Sequence, residues 1–187
     1  MREATMLQTF IVYVHDRPGV LNRVASLMRR RAFNIDSLTV GRTETPGVSR
    51  MTIAVEADPA AARRIEMNLY KLFDVIRVEN VTDRPAVVRD LVMIKVATDA
   101  RTRTDVLKLA EVFRARVVDV APSSLILETT GSEEKIERLL EVLRPFGVLE
   151  MVRTGRVAMA RGAGSEGPVA ESALTGSDAE AAGVCSV

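Results

Sequence analysis

The chain of 187 residues carries the same succession of strand and helix patterns twice, and this succession limits the folds that it can adopt. In the first copy, residues 7–15 are rich in β-branched and aromatic side chains and predict a strand. Residues 16–19, which include Pro18 and Gly19, interrupt that strand. From Val20 onward, apolar residues recur at the three- and four-residue spacing that predicts an amphipathic helix.

Two alternating patterns follow this helix and predict strands over residues 34–43 and 49–56, each with one buried face. Asp58 and Pro59 then form a favourable helix start, because Asp caps free backbone amides and proline is tolerated in a first turn. A strand over residues 75–81 completes the copy. The order β-α-β-β-α-β is that of a ferredoxin-like split βαβ unit.

The same order recurs after a polar break. The second copy consists of strands over residues 90–98, 116–120, 125–129 and 148–153 and of helices over residues 104–113 and 132–143. Ser132 is the predicted cap of the last helix. We therefore predict an α+β fold of two ferredoxin-like βαββαβ units, with residues 5–82 as the first domain, residues 83–88 as a linker and residues 89–161 as the second domain.

Residues 162–187 differ in composition from the rest of the chain. After Gly162 there are six Ala, four Gly and four Ser, but no aromatic residue, Lys or Arg. Such a segment cannot bury enough apolar surface to offset the entropy lost on ordering, so we predict a flexible acidic tail. The single cysteine, Cys185, lies in this tail, which leaves no intramolecular disulfide and no cysteine-based metal site.

The charges of the chain are balanced, with 26 Lys and Arg against 25 Asp and Glu. No strong field therefore recruits nucleic acid or anionic lipid. No apolar run approaches the roughly 18 residues that would span a bilayer, and the first residues lack a charged-then-apolar signal pattern. We expect a soluble cytoplasmic protein that binds neither nucleic acid nor a membrane.

The sequence offers little catalytic chemistry. His15, the sole histidine, stands at a predicted strand end, where a structural role is favoured over that of a general base without a partner. Nucleophile-elbow, phosphate-loop and dinucleotide-binding motifs are absent. We predict no catalytic residue and no metal site. An RNA-recognition module of the same topology is disfavoured, because the few aromatic residues do not form its basic-glycine-aromatic run.

The junction between the first strand and helix has groups suited to a small ligand. Pro18 has no N–H to leave unpaired, and Gly19 permits close approach to the backbone. The helix that follows presents free amides and a partial positive charge to a carboxylate. Asp16 offers a partner for an ammonium group, and the side-chain amide of Asn34 both donates and accepts.

A branched-chain amino acid matches these groups, since Val20, Leu21 and Ile35 supply apolar neighbours for its side chain. The alternative is an ordinary helix entry, in which Asp16 is a helix cap and Asn34 is a turn residue. The chemistry of the residues alone favours neither interpretation.

Several stretches carry a family resemblance. They are residues 16–25 (DRPGVLNRVA), 33–40 (FNIDSLTV), 49–53 (SRMTI), 111–114 (EVFR), 118–120 (VDV) and 153–155 (RTG). The first two resemble the ACT domain of the small regulatory subunit of acetolactate synthase, also called acetohydroxyacid synthase, and the others look like the same family. The similarity covers residues 6–161 in order. The continuation after Pro-Gly, together with the second half, makes this family a far more specific match than ACT domains in general.

The resemblance implies a regulatory subunit without a catalytic site of its own. In this family the large subunit carries thiamine diphosphate, Mg²⁺ and FAD and condenses two 2-oxo acids, so we expect no cofactor in this chain. The small subunit raises the activity of that transferase and confers feedback inhibition by valine, or in some members by leucine or isoleucine. Its ACT domains pair as a homodimer with effector sites at the interface.

The resemblance also implies which residues hold the effector. By position, one chain contributes Asp16, Gly19, Val20, Leu21 and Asn22, and its partner contributes Asn34 and Ile35. We expect the valine carboxylate on the loop amides of Gly19 and Val20 and its ammonium group near Asp16 and Asn34. Some members have Asn in place of Asp16, so effector preference or affinity can differ here.

The second copy lacks a Pro-Gly loop, because residues 98–102 read Thr-Asp-Ala-Arg-Thr. We therefore expect it to bind no amino acid and to contact the large subunit or to stabilise the dimer. One competing interpretation is a stand-alone ACT sensor that regulates another enzyme or a transcription factor, although no DNA-binding helix pair accompanies it. Another is a free-standing acylphosphatase-like enzyme of the same topology.

Overall fold

The computed structural model describes residues 4–162, and its elements occur in the predicted order. The first unit consists of β1 (Met6–His15), α1 (Val20–Arg30), β2 (Ile35–Arg42), β3 (Val48–Ala57), α2 (Pro59–Leu69) and β4 (Val75–Asn80). The second unit consists of β5 (Ala86–Ala97), α3 (Arg103–Val112), β6 (Arg116–Ala121), β7 (Ser124–Gly131), α4 (Glu133–Leu143), β8 (Val148–Arg153) and β9 (Val157–Ala160). Two βαββαβ units thus confirm the predicted α+β fold. Residues 163–187, with most of the predicted tail and Cys185, lie outside the described residues.

Each unit forms an antiparallel sheet with the same strand order, which is β2-β3-β1-β4 in the first and β6-β7-β5-β8 in the second. Side chains alternate between the two faces of a strand, so Phe10, Val12 and Val14 all point to one face of β1. These three residues are fully buried in a core shared with α1 and α2. Val92 and Ile94 of β5 are buried in the same way, in a core shared with α3 and α4.

Two of the predicted helix caps are confirmed. The Asp58 carboxylate accepts a hydrogen bond from the Ala61 amide at 2.6 Å, and the Ser132 hydroxyl accepts one from the Lys135 amide at 3.4 Å. Helix α1 begins differently. Its N-cap is Gly19, with a φ of +84°, and no side chain caps it, so the alternative interpretation of Asp16 as the cap is wrong.

The predicted linker needs correction, whereas the predicted strand over residues 148–153 is confirmed as β8. Strand β5 begins at Ala86, so residues 86–88 belong to a strand and not to a linker. Strand β8 is followed by the short β9, which pairs antiparallel with the first residues of β5, from Ala86 to Arg89. Pairing of this kind joins segments about 70 residues apart in sequence, and local patterns do not reveal it.

Strand β9 also connects the two units. Ala158 of β9 is fully buried with Ile11 of β1 and with Val81, which follows β4. Ile11 points to the face of the first sheet opposite α1 and α2, which we call the open face. The Arg50 guanidinium donates a hydrogen bond to the carbonyl oxygen of Ala158. The second unit therefore covers part of the open face of the first.

Candidate functional site

The Pro-Gly bend, defined as residues 16–19, connects β1 to α1. The Asp16 amide donates to the carbonyl of Gly47 at 2.8 Å, which ties the start of the bend to the turn between β2 and β3. Gly19 has a left-handed φ of +84°, a conformation that residues with a Cβ atom rarely adopt. A Cβ atom added there would meet nothing closer than Arg23 Nη1 at 3.8 Å. Glycine is therefore required by the backbone conformation and not by lack of space.

The first turn of α1 leaves particular amides open. The Val20 amide donates to the carbonyl of Arg17 at 3.4 Å, and the Arg23 amide donates to that of Gly19 at 3.0 Å. Within residues 4–162, the backbone amides of Leu21 and Asn22 donate to no acceptor, as expected for the first turn of a helix. The Val20 amide is therefore engaged within the chain by a long hydrogen bond, and the contact of a carboxylate with the Gly19 and Val20 amides stays a prediction.

A cation that the sequence analysis did not identify lies beside the bend. The Arg23 Nε donates to the Asp74 carboxylate at 2.8 Å, and the Asp74 side chain is buried. The Asp74 carbonyl in turn accepts the His15 amide at 2.9 Å. Helical side chains lean toward the N-terminus of their helix, which brings Arg23 back to Gly19. This spacing is visible in sequence, but the position of Asp74 before β4 is not.

The residues around the bend differ in exposure. Asp16, Gly19 and Asn22 are exposed, and Leu21 presents an apolar side chain that is 44% exposed. Val20 is only 4% exposed and packs in the core of the first unit. Its side chain therefore serves the core, and Leu21 is the apolar group that faces outward at this position.

Asn34 and Ile35 lie at the other end of the first sheet. Ile35 pairs with Val55, which also pairs with Gln8 near the start of β1, whereas the bend follows His15 at its end. At roughly 3.4 Å per residue, Gln8 and His15 are about 24 Å apart along the strand. A single chain therefore cannot bring Asp16 and Asn34 to one small ligand.

The corresponding junction of the second unit is closed by its own side chain. The Asp99 carboxylate accepts hydrogen bonds from the Thr102 amide at 2.7 Å, the Thr102 hydroxyl at 2.8 Å and the Arg101 amide at 2.9 Å. The hydrogen bond from the Thr102 amide, followed by those from the Thr102 hydroxyl and the Arg101 amide, lowers the pKa of Asp99. The Asp99 carboxylate thus binds the two amides that precede α3, at the positions that Pro18 and Gly19 occupy before α1.

Metal clusters and membrane-spanning helices are both absent from residues 4–162. Among residues 4–162, no three His, Cys, Asp or Glu side chains come together in a way that could hold a metal ion. None of the helices in the same range is long and apolar enough to cross a membrane.

The strand and helix order, together with the Pro-Gly bend, defines the first unit as an ACT domain. Residues 10–77 match the family model described as the ACT domain of acetohydroxyacid synthase small subunits. Residues 89–162 match the model described as the small subunit of acetolactate synthase. The chain belongs to the family of acetolactate synthase small subunits.

Individual relatives agree with this assignment. The acetolactate synthase small subunit of Mycobacterium bovis is 47% identical over 154 residues, which cover 82% of this chain and 92% of the relative. That of Aquifex aeolicus is 45% identical over 151 residues, which cover 80% of this chain and 79% of the relative. The crystal structure of the small subunit from Thermotoga maritima has a TM-score of 0.78 and 38% identity, and the match covers 83% of this chain and 98% of that one.

Proposed function

We propose that this chain is the regulatory subunit of an acetolactate synthase, that it activates the catalytic large subunit and that it makes the enzyme sensitive to valine. Family membership supports the regulatory role. The observation that carries the effector proposal is the first turn of α1 after the Pro-Gly bend, where the Leu21 and Asn22 amides have no acceptor among residues 4–162 and the Arg23 guanidinium is held nearby by Asp74. By resemblance, thiamine diphosphate, Mg²⁺ and FAD belong to the large subunit, and this chain acts through binding alone.

The proposed contacts follow the chemistry of the bend. The carboxylate of valine accepts hydrogen bonds from the Leu21 and Asn22 amides, where the helix N-terminus favours negative charge. The Arg23 guanidinium, held by Asp74, adds a second source of positive charge. The ammonium group lies near Asp16, and the exposed side chain of Leu21 contacts the isopropyl group.

A homodimer completes the proposed site. Strand β2 is at the edge of the first sheet, and Asn34 lies directly before it, far from the bend of the same chain. A two-fold axis that sets two such edges antiparallel brings the bend of one chain toward Asn34 and Ile35 of the other. Two equivalent pockets result, each built from two chains.

Regulation requires that valine bind two states of the enzyme differently, because a ligand shifts only equilibria in which its affinities differ. We propose that the valine-bound dimer holds the large subunit in a less active state than the free dimer does. The second unit contacts the large subunit in this proposal. The junction between its first strand and first helix is capped by Asp99.

The test is an activity assay of the purified large subunit with and without the full chain, at increasing valine concentrations. We expect the chain to raise the rate and valine to reverse the increase. No stimulation of the cognate large subunit would contradict the regulatory proposal, and calorimetric valine binding without stimulation would favour the stand-alone sensor. Hydrolysis of an acyl phosphate by the chain alone would contradict both.

A further inference from the structure

The turn between β8 and β9 lies directly on the edge strand β2. A Cβ atom added to Gly155 would lie 2.5 Å from Thr39 Oγ1 and 2.9 Å from the carbonyl oxygen of Leu38. The amide of Arg156 donates to the Ser37 hydroxyl at 2.8 Å. Only glycine fits at position 155, and we call this set of interactions the β2 contact.

The same turn is fixed to the second unit on its other side. The Thr154 amide donates to the carbonyl of Leu91 at 3.0 Å, and Arg156 forms an ion pair with Glu133 at 2.6 Å. Arg153 donates through Nε to the buried Asp90 carboxylate at 2.8 Å. A displacement of the turn therefore acts on β5 and on the start of α4 together.

The position of the β2 contact matters because of what else β2 carries. Ser37 follows Asn34 by three residues and Ile35 by two, and Asn34 and Ile35 are the residues that the proposed effector site takes from the second chain. The apolar contact between the units, by contrast, involves Ile11 on the central strand β1. A shift of the edge strand thus reaches the second unit first through residues 154–156.

We propose that the β2 contact transmits effector binding from the ACT dimer to the second unit, and this inference rests on the function proposed above. Valine that bridges two chains pulls on Asn34 and on the start of β2. Because Gly155 lies against Thr39 and the Leu38 carbonyl with no room for even a methyl group, a shift of β2 toward it moves the turn as well. The ion pairs of Arg153 and Arg156 then transmit the movement to the second unit, which is the unit proposed to contact the large subunit.

The test measures the coupling itself and not the stability of the contact. The dissociation constant of valine is determined by calorimetry for the full chain alone and for its complex with the large subunit. The ratio of the two constants is the coupling between the sites, and we expect about 5–150-fold for the unchanged chain. In Gly155→Ala, where the added methyl group displaces β2, we expect a ratio within about twofold of one, with valine affinity of the chain alone retained.

Two further variants make the result interpretable. Ser37→Ala removes the hydrogen bond from Arg156 without adding an atom, so it tests the contact even if Gly155→Ala fails to fold. Gly41→Ala is the matched control, because Gly41 lies on the same strand and face as Ser37 and Thr39 and its added Cβ meets nothing within 4 Å. We expect Ser37→Ala to lower the ratio and Gly41→Ala to leave it unchanged.

The outcomes separate the two proposals. A wild-type coupling ratio in both Ser37→Ala and folded Gly155→Ala would overturn the transmission role and leave the effector site intact. Absence of valine binding by the unchanged chain would overturn the proposed function itself. A purely structural role of the β2 contact predicts a lower melting temperature with an unchanged ratio, and that result would also overturn the inference.

Discussion

The strand-to-helix junctions of the two units occupy the same place in the same fold, yet only the second one is capped by a carboxylate of its own chain. In the first unit, a left-handed Gly19 starts the helix and leaves the Leu21 and Asn22 amides without an acceptor among residues 4–162. In the second unit, Asp99 turns its carboxylate onto the Thr102 and Arg101 amides. Fold alone therefore does not make a site. A few side chains decide whether the amides before a helix meet a carboxylate of their own chain.

The largest expected effect comes from filling the open junction. Gly19→Asp places a carboxylate where that of valine is proposed to bind and strains a backbone with a φ of +84°. We expect valine affinity, measured by calorimetry, to fall on the order of 100-fold. Gly162→Asp is the matched control, since its φ is +77° and its surroundings are open. Unchanged binding by Gly19→Asp would show that the bend is not the effector site.

A smaller effect is expected from the cation beside the bend. Arg23→Gln removes the positive charge near Gly19, and we expect valine affinity to fall about tenfold, in line with the loss of one charged hydrogen bond. Arg30→Gln, an exposed change at the far end of α1, serves as the control. If both variants bound valine with the same affinity, the Arg23 guanidinium would not contribute to the site, and only backbone amides would bind the carboxylate.

The closed junction is tested by opening it. Asp99→Ala removes the acceptor of three hydrogen bonds, so we expect the melting temperature to drop by a few degrees, with valine stoichiometry unchanged. Asp119→Ala, at an exposed position on β6, is the control and should melt like wild type. If the Asp99→Ala chain bound additional valine, removal of this carboxylate would be sufficient to create a binding site in the second unit, and this would contradict the prediction.

The smallest effect concerns pH. Because the pKa of Asp99 is lowered in the folded chain, its stabilisation is present above the ordinary pKa of an aspartate and is lost as the pH falls through the folded-state value. The difference in melting temperature between wild type and Asp99→Ala should therefore shrink as the pH falls from neutral to well below 3.8, the ordinary pKa of the group. A difference that stays constant over this range would contradict the role of the ionised carboxylate.

The sequence predicts the order of elements well because the signals are local. Periodicity and cap residues place the four α-helices among residues 4–162, and the caps at Asp58 and Ser132 lie within three residues of their partners. Strand β9 escapes prediction since it has only four residues and depends on pairing with the distant Ala86 and on burial of Ala158 against the first unit.

The candidate site is predictable only in part for a similar reason. Pro18 and Gly19 identify the bend in the sequence. The sequence does not show, however, that the Val20 side chain is buried in the core while that of Leu21 faces outward. It also does not reveal that Asp74, far along the chain, holds Arg23 beside Gly19. These positions depend on tertiary contacts, which local sequence patterns do not reveal.

A mixed dimer gives the most direct test of a site shared between two chains. Chains carrying Gly19→Asp and chains carrying Asn34→Ala are co-expressed with different tags, and the mixed dimer is isolated and titrated with valine. Each variant alone should bind weakly, but the mixed dimer combines one intact bend with one intact Asn34 and should bind one valine per dimer with wild-type affinity. A mixed dimer that binds no better than its parents would contradict a pocket built from both chains.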